Sequence, residues 1–200
     1  MKKYLLAATA IVAGLGSVPS YAAVITFDEP GIGSTVDGFY NGGGGPNLGA
    51  DFQAGDWAVI TGFGQTSQPN FSYSISGTGY VNIANGFINS FGFNYGAFTG
   101  TTATVFDGLN GSGIALGSIF LGANNTNAFS PAAINFSGTG HSFRILGGGS
   151  QFGFDDVTFT AAPAGPVPEP ATWAMMLMGF GLMGFGLRNR RKQAVRVTYA

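Results

Sequence analysis

The 200-residue chain contains no cysteine. That excludes a disulfide framework, a thiol nucleophile, iron–sulfur clusters and cysteine zinc sites. A single histidine, His141, excludes histidine-rich metal sites as well. Charge is scarce at 8% of residues, yet 45% are hydrophobic and 14% aromatic, so charge-driven disorder does not describe the chain. Between residues 23 and 166 lysine is absent and Arg144 is the one basic residue. Asp28, Glu29, Asp37, Asp51, Asp56, Asp107, Asp155 and Asp156 share that stretch, and one cation against eight anions leaves it at −7. A segment so acidic cannot grip a phosphate backbone, which excludes nucleic acid as a partner. Glycine is abundant at 35 residues but lacks the three-residue period of collagen.

The other basic residues stand at the two ends. Lys2 and Lys3 precede an apolar run from Tyr4 to Gly16, Pro19 breaks it, and Ser20-Tyr21-Ala22 offers small residues where a signal peptidase needs them. Residues 1–22 are therefore expected to be a signal peptide helix, cut between Ala22 and Ala23. An exported chain without cysteine fits a bacterial envelope.

At the other end, residues 161–167 form a Pro/Ala linker suited to an extended spacer. Pro168-Glu169-Pro170 follows, then 17 uncharged residues from Ala171 to Leu187, then Arg188, Arg190, Arg191 and Lys192. As a helix the uncharged run would reach roughly 25 Å, the short end of a bilayer crossing. Trp173 suits a headgroup interface, and the basic cluster would stop transfer and leave residues 193–200 as a cytoplasmic tail. The expectation is a C-terminal transmembrane helix with the central domain outside.

The ordered set of Pro168-Glu169-Pro170, Trp173-Ala174-Met175-Met176-Leu177, a glycine-bearing apolar run and a basic stop over residues 168–192 resembles the PEP-CTERM sorting signal. Such a tail also goes by the name of an ice-binding protein C-terminal domain. The resemblance implies processing by exosortase, with Pro168, Glu169 and Pro170 as the recognition motif. It also implies an inner-membrane-anchored intermediate that ends at the cell surface or in the extracellular matrix. Two prolines deny the motif a helix, so a protease can read it as an extended strand.

Residues 23–160 read as all-β. Short runs of alternating apolar and small polar residues recur: Val24–Phe27, Trp57–Ile60, Phe71–Ile75, Tyr80–Ile83, Phe91–Tyr95, Ala103–Phe106, Ile114–Leu121, Ile134–Phe136, Ser142–Leu146 and Val157–Thr160. Turn residues such as Asp107-Gly108 and Asn110-Gly111-Ser112-Gly113 separate them. About ten short strands predict a jelly-roll-like β-sandwich ectodomain. The passages Val105–Gly113 and Phe152–Phe159 resemble pieces of PEP-CTERM ectodomains, which are similar to carbohydrate-binding or discoidin-like sandwiches.

Asp28 and Glu29 close the first expected strand, and Asp155 and Asp156 precede the last. If the terminal strands are neighbours, these carboxylates could hold a structural Ca²⁺, which wants six to eight oxygens. The bland alternative is four strand-end acids facing water. A glycosidase pair needs only two carboxylates, but nothing here separates an acid from a base. His141 lacks a nucleophile elbow, and the glycine runs at 42–45 and 147–149 lead into no phosphate-binding lysine. Tyr40, Trp57, Tyr73, Tyr80 and Tyr95 could stack on sugar rings if exposed, though alternating strands more often bury them. The expectation is a non-enzymatic surface protein, binding extracellular polysaccharide or assembling with its own kind. A small polysaccharide-active enzyme is the remaining alternative.

Overall fold

The computed structural model describes residues 20–62, 64, 67, 69–124, 128–146, 152–163 and 170–190. Most of the expected signal peptide, Pro168, Glu169, Arg191, Lys192 and the 193–200 tail lie outside them. Residues Pro19–Pro163 form one compact unit.

That unit is all-β, as the alternating runs predict. Its strands are β1 (Ala22–Ile25), β2 (Ala50–Phe52), β3 (Trp57–Ile60), β4 (Phe71–Ser74), β5 (Tyr80–Ala97), β6 (Thr101–Phe106), β7 (Ala115–Leu121), β8 (Ser130–Leu146) and β9 (Phe152–Ala161). Every pairing is antiparallel. The order is β3-β4-β9-β5-β8-β6-β7, with β1 on β9 and β2 on β5.

Two layers share the long strands β5 and β8. Val81–Ile83 of β5 pairs with β2, and Tyr80–Asn82 with Ser142–Arg144 of β8, whose end pairs with β6. The later part of β5 turns to β9 and to the first half of β8. Register shifts between Asn82 and Phe87, and between Ile88 and Ser90, mark the bend. Such shifts twist a strand enough to move it between layers. The bend needs a left-handed backbone at Gly86 (φ 81°) and Asn89 (φ 71°). At Gly86 a Cβ would also run into the Thr139 methyl group.

The core between the layers is aromatic. Phe91 of β5 stacks on Phe143 of β8 at 4.4 Å, and Trp57 lies 4.7 Å from Phe154 of β9. Phe154 also meets Phe27, Phe52, Phe93, Phe143 and Phe152. Rings of this size give a domain of modest length a large apolar area to bury, without a disulfide.

Candidate functional site

The first and last strands are neighbours. β1 runs beside β9 from Ala22↔Thr160 to Ile25↔Val157. Ala22 is exposed, whereas Ala23 is buried in the core. The pairing brings the sequence-predicted acids to one region but gives each a separate partner. Asp28 Oδ1 accepts from the Asn70 N–H at 3.2 Å. Glu29 Oε2 accepts from the Tyr40 hydroxyl at 2.9 Å. Burial, with the bond and charge of Glu29 behind it, keeps that phenol protonated far above its usual range. Asp156, with φ 48°, accepts from Asn94 Nδ2 at 3.0 Å.

Asp155 is fully buried. It accepts from the Ser67 N–H at 2.9 Å, from the Ser67 hydroxyl, and from the Asp156 N–H at 2.8 Å. Removal from water pushes its carboxyl up to about 6; those bonds pull the other way, and the Asp156 charge adds to the rise. The Ser67 hydroxyl also reaches the Thr26 carbonyl at 3.2 Å, so Ser67 links Asp155 to the residue after β1. Among the described residues, no three His, Asp or Glu side chains gather as a metal site. The acids act on this showing as hydrogen-bond acceptors that fasten loops.

Sequence reasoning missed a different surface. In the β2-β5-β8-β6-β7 layer, Val81, Ile83, Ala103, Val105, Phe143 and Ile145 point into the core. Their neighbours in sequence face outward. The register aligns Ser118, Thr104, Arg144 and Tyr80 in one row across four strands. Phe120, Thr102 and Leu146 form the row beside it. Tyr80, Thr102, Thr104 and Arg144 are half-buried, and Ser118, Phe120 and Leu146 are exposed. Period-two alternation held this information, but only the register shows which outward residues are adjacent.

The β6–β7 turn lies over one end of this face. The Asn110 N–H donates to Asn82 Oδ1 at 2.7 Å, and Asn82 Nδ2 donates to Asn110 Oδ1 at 2.8 Å. The Gly111 N–H donates to the Ser142 hydroxyl at 3.0 Å. Arg144 Nη1 donates to the Gly111 carbonyl at 2.9 Å, and its guanidinium sits 4.6 Å over the Phe106 ring. The domain's lone cation is thus held by a carbonyl and a ring. Hydroxyls, a phenol ring and a guanidinium on one open face can hydrogen-bond and stack on a polyhydroxylated ligand. Trp57 and Tyr40 are buried and unavailable for this, while Tyr73, Tyr80 and Tyr95 are half-buried. His141 Nδ1 lies 3.2 Å from the Ala84 carbonyl.

The tail contains α1 (Pro170–Arg190), a 21-residue helix. Its side chains from Trp173 to Arg188 are exposed on every side. Here the transmembrane expectation needs correcting: no helix among the described residues is long and apolar enough to cross a membrane. The uncharged run is short, and Gly179, Gly181, Gly184 and Gly186 add length without hydrophobicity.

No curated protein matches the chain in sequence. Among solved structures, a glycoside hydrolase family 43 arabinoxylan arabinofuranohydrolase from Bacillus subtilis is 18% identical with a TM-score of 0.40; the match covers 53% of this chain and 24% of that one. The chain thus spans about a quarter of that enzyme's length. A family 6 carbohydrate-binding module is 15% identical with a TM-score of 0.43, covering 70% and 94%. A mutant of a family 29 carbohydrate-binding module is 10% identical with a TM-score of 0.44, covering 76% and 99%. Scores and identities this low say nothing of ligand or activity. The family model of the PEP-CTERM protein-sorting motif matches residues 166–192. An all-β unit therefore precedes a stretch, residues 166–192, that matches the PEP-CTERM protein-sorting motif.

Proposed function

We propose that this protein is exported, cut by signal peptidase after Ala22 and by exosortase near Pro168–Pro170, and left at the cell surface or in the extracellular polymer as a non-catalytic glycan-binding domain. The sorting motif at residues 166–192 carries the reading. The exosortase step removes α1 and the basic residues beyond it. The Ala22–Ala23 bond belongs to β1, with Ala23 buried, so signal peptidase must act before β1 docks on β9. Glycan binding is supported by the outward row of Tyr80, Arg144, Thr104 and Ser118, whose groups suit sugar hydroxyls. The acids near β1 and β9 are spent on loop contacts, which favours binding over hydrolysis.

Intact mass of the protein from its host's envelope tests the sorting half. A chain from Ala23 to about Pro170 is expected, and one retaining Arg188–Ala200 overturns exosortase processing. Affinity electrophoresis of that processed protein in polysaccharide gels tests the other half. Retardation is expected, and Tyr80→Ala should weaken it about tenfold, the loss of one aromatic anchor. No retardation on neutral or acidic polysaccharides sinks the glycan reading.

A further inference from the structure

On the outward face of the β2-β5-β8-β6-β7 layer, Phe120 is 71% exposed, and Leu146, across Thr102 in the same row, is 51% exposed. Single exposed apolar side chains are ordinary, but two that flank one threonine make a patch. The far end of the Phe120 ring sits over Gly100, where a Cβ would come within 2.6 Å of Cζ. Gly100 lies outside the left-handed region, so its backbone does not call for glycine; room for the ring does. The ring is therefore seated before any ligand arrives, which lowers the ordering entropy that a contact has to offset.

Hydroxyls fill the space between Phe120 and Tyr80. Thr102, Thr104 and Ser118 all face outward there. The inward Thr101 spends its hydroxyl on the Leu146 carbonyl. Among the described residues, the hydroxyls of Thr102, Thr104, Ser118 and Tyr80 have no such partner. The Arg144 charge is taken up by the Gly111 carbonyl and the Phe106 ring, and no carboxylate stands in either row. With the 23–166 segment at −7, an acidic polymer is repelled and a neutral one is not. Tyr80 and Phe120 stand three strand spacings and two residues apart, roughly 16 Å between Cα atoms at about 4.8 Å per strand and about 3.4 Å per residue.

Resting on the glycan-binding reading above, we propose that Phe120 is a second stacking anchor of this face, and that the ligand is a neutral chain of equatorially substituted pyranoses lying across β5, β8, β6 and β7. Such a sugar carries C–H groups above and below its ring and hydroxyls around its rim. Its faces suit the rings of Tyr80 and Phe120, and its rim suits the unpartnered hydroxyls of Thr102, Thr104 and Ser118 between them. A single pyranose is no larger than a phenyl ring and cannot touch both anchors, whereas a chain of several can. Gly100 is then a positioning residue, which acts only through the ring it seats.

The test is affinity electrophoresis of the full chain, in mild detergent, through gels cast with neutral arabinoxylan, glucomannan or hydroxyethylcellulose, or with acidic alginate. Retardation is expected in at least one neutral polymer and not in alginate. Phe120→Ala should weaken it about tenfold, with an unchanged circular dichroism spectrum, and Phe120→Trp should retain it. Gly100→Ala keeps the ring but unseats it, and should weaken retardation about threefold. A hexasaccharide of the retarding polymer should bind at least about tenfold more tightly than its disaccharide, because two linked contacts add. If Tyr80→Ala weakens retardation and Phe120→Ala does not, the second anchor is overturned while the glycan reading stands. A hexasaccharide no tighter than the disaccharide has the same consequence. Retardation in alginate alone overturns the neutral chain, and no retardation in any polymer overturns both this assignment and the glycan reading.

Discussion

Phe154→Ala should be the costliest single truncation in the β unit. Its ring is fully buried and meets six other aromatic rings, with Trp57 nearest at 4.7 Å. Truncating a buried phenylalanine costs about 3–5 kcal/mol, part transfer energy and part cavity. The neighbours come from β2, β3, β5, β8, β9 and the segment after β1, so no single strand can collapse into the hole. That places the loss near ~4 kcal/mol, which for a domain of this size lowers the melting temperature by roughly 12 °C. The assay is urea unfolding followed by tryptophan fluorescence. Trp57 is buried against Phe154, whereas Trp173 is 59% exposed on α1, so the change in emission comes from Trp57. Ile32→Ala, at a side chain 62% exposed, should stay within about 0.5 kcal/mol of the parent. A Phe154→Ala loss below about 1.5 kcal/mol, or equal to that of Ile32→Ala, would refute the aromatic hub.

Two further outcomes follow from local geometry. The Asp155 carboxyl, at about 6 against an ordinary 3.8, binds its proton more tightly folded than unfolded. Its contribution to stability is whole below about pH 4 and is lost as pH rises through about 6, by up to about 3 kcal/mol. Asp155→Asn should remove that fall from the urea midpoint measured between pH 4 and 7.5, and an unchanged slope would show that the carboxyl is not desolvated. Gly86→Ala and Gly33→Ala both force alanine to a positive φ, 81° and 83°, but only at Gly86 does the new Cβ strike another group, the Thr139 methyl. Gly33→Ala should cost about 1 kcal/mol and Gly86→Ala at least ~2 kcal/mol by the same unfolding assay, and equal losses would contradict the close packing at the bend.

Some elements were legible at their observed bounds. Trp57–Ile60 is β3 as expected, because four apolar residues sit between turn signals. Tyr80–Ile83 and Phe91–Tyr95 instead belong to one strand, β5, and Ile134–Phe136 and Ser142–Leu146 to another, β8. Gly86 and Gly138, both at positive φ, stand between those runs as bends within continuous strands. β2 escaped notice because three residues leave no measurable period. The pairing of β1 with β9 sets Asp28, Glu29, Asp155 and Asp156 near one another, but each has its own hydrogen-bond partner, and their shared metal was an expectation of proximity alone. Ser67 and Asp155 are 88 residues apart, and no local pattern announces that contact.

The sequence by itself determined the class and the destination. Alternation of apolar and small polar residues makes strands, and the order Pro-Glu-Pro, apolar run, basic cluster makes a sorting signal. Both are local patterns that a chain carries before it folds. Tertiary structure decided the rest. It gave four neighbouring carboxylates separate hydrogen-bond partners, buried Trp57 and Tyr40 while leaving Tyr80 half-open, and aligned Arg144 with Thr104 and Ser118. It also covered the β3 edge with residues 33–36 and set Gly117 of β7 against Ile134 of β8. These outcomes depend on register and on which strands become neighbours, and a one-residue slip in register would turn each face inside out.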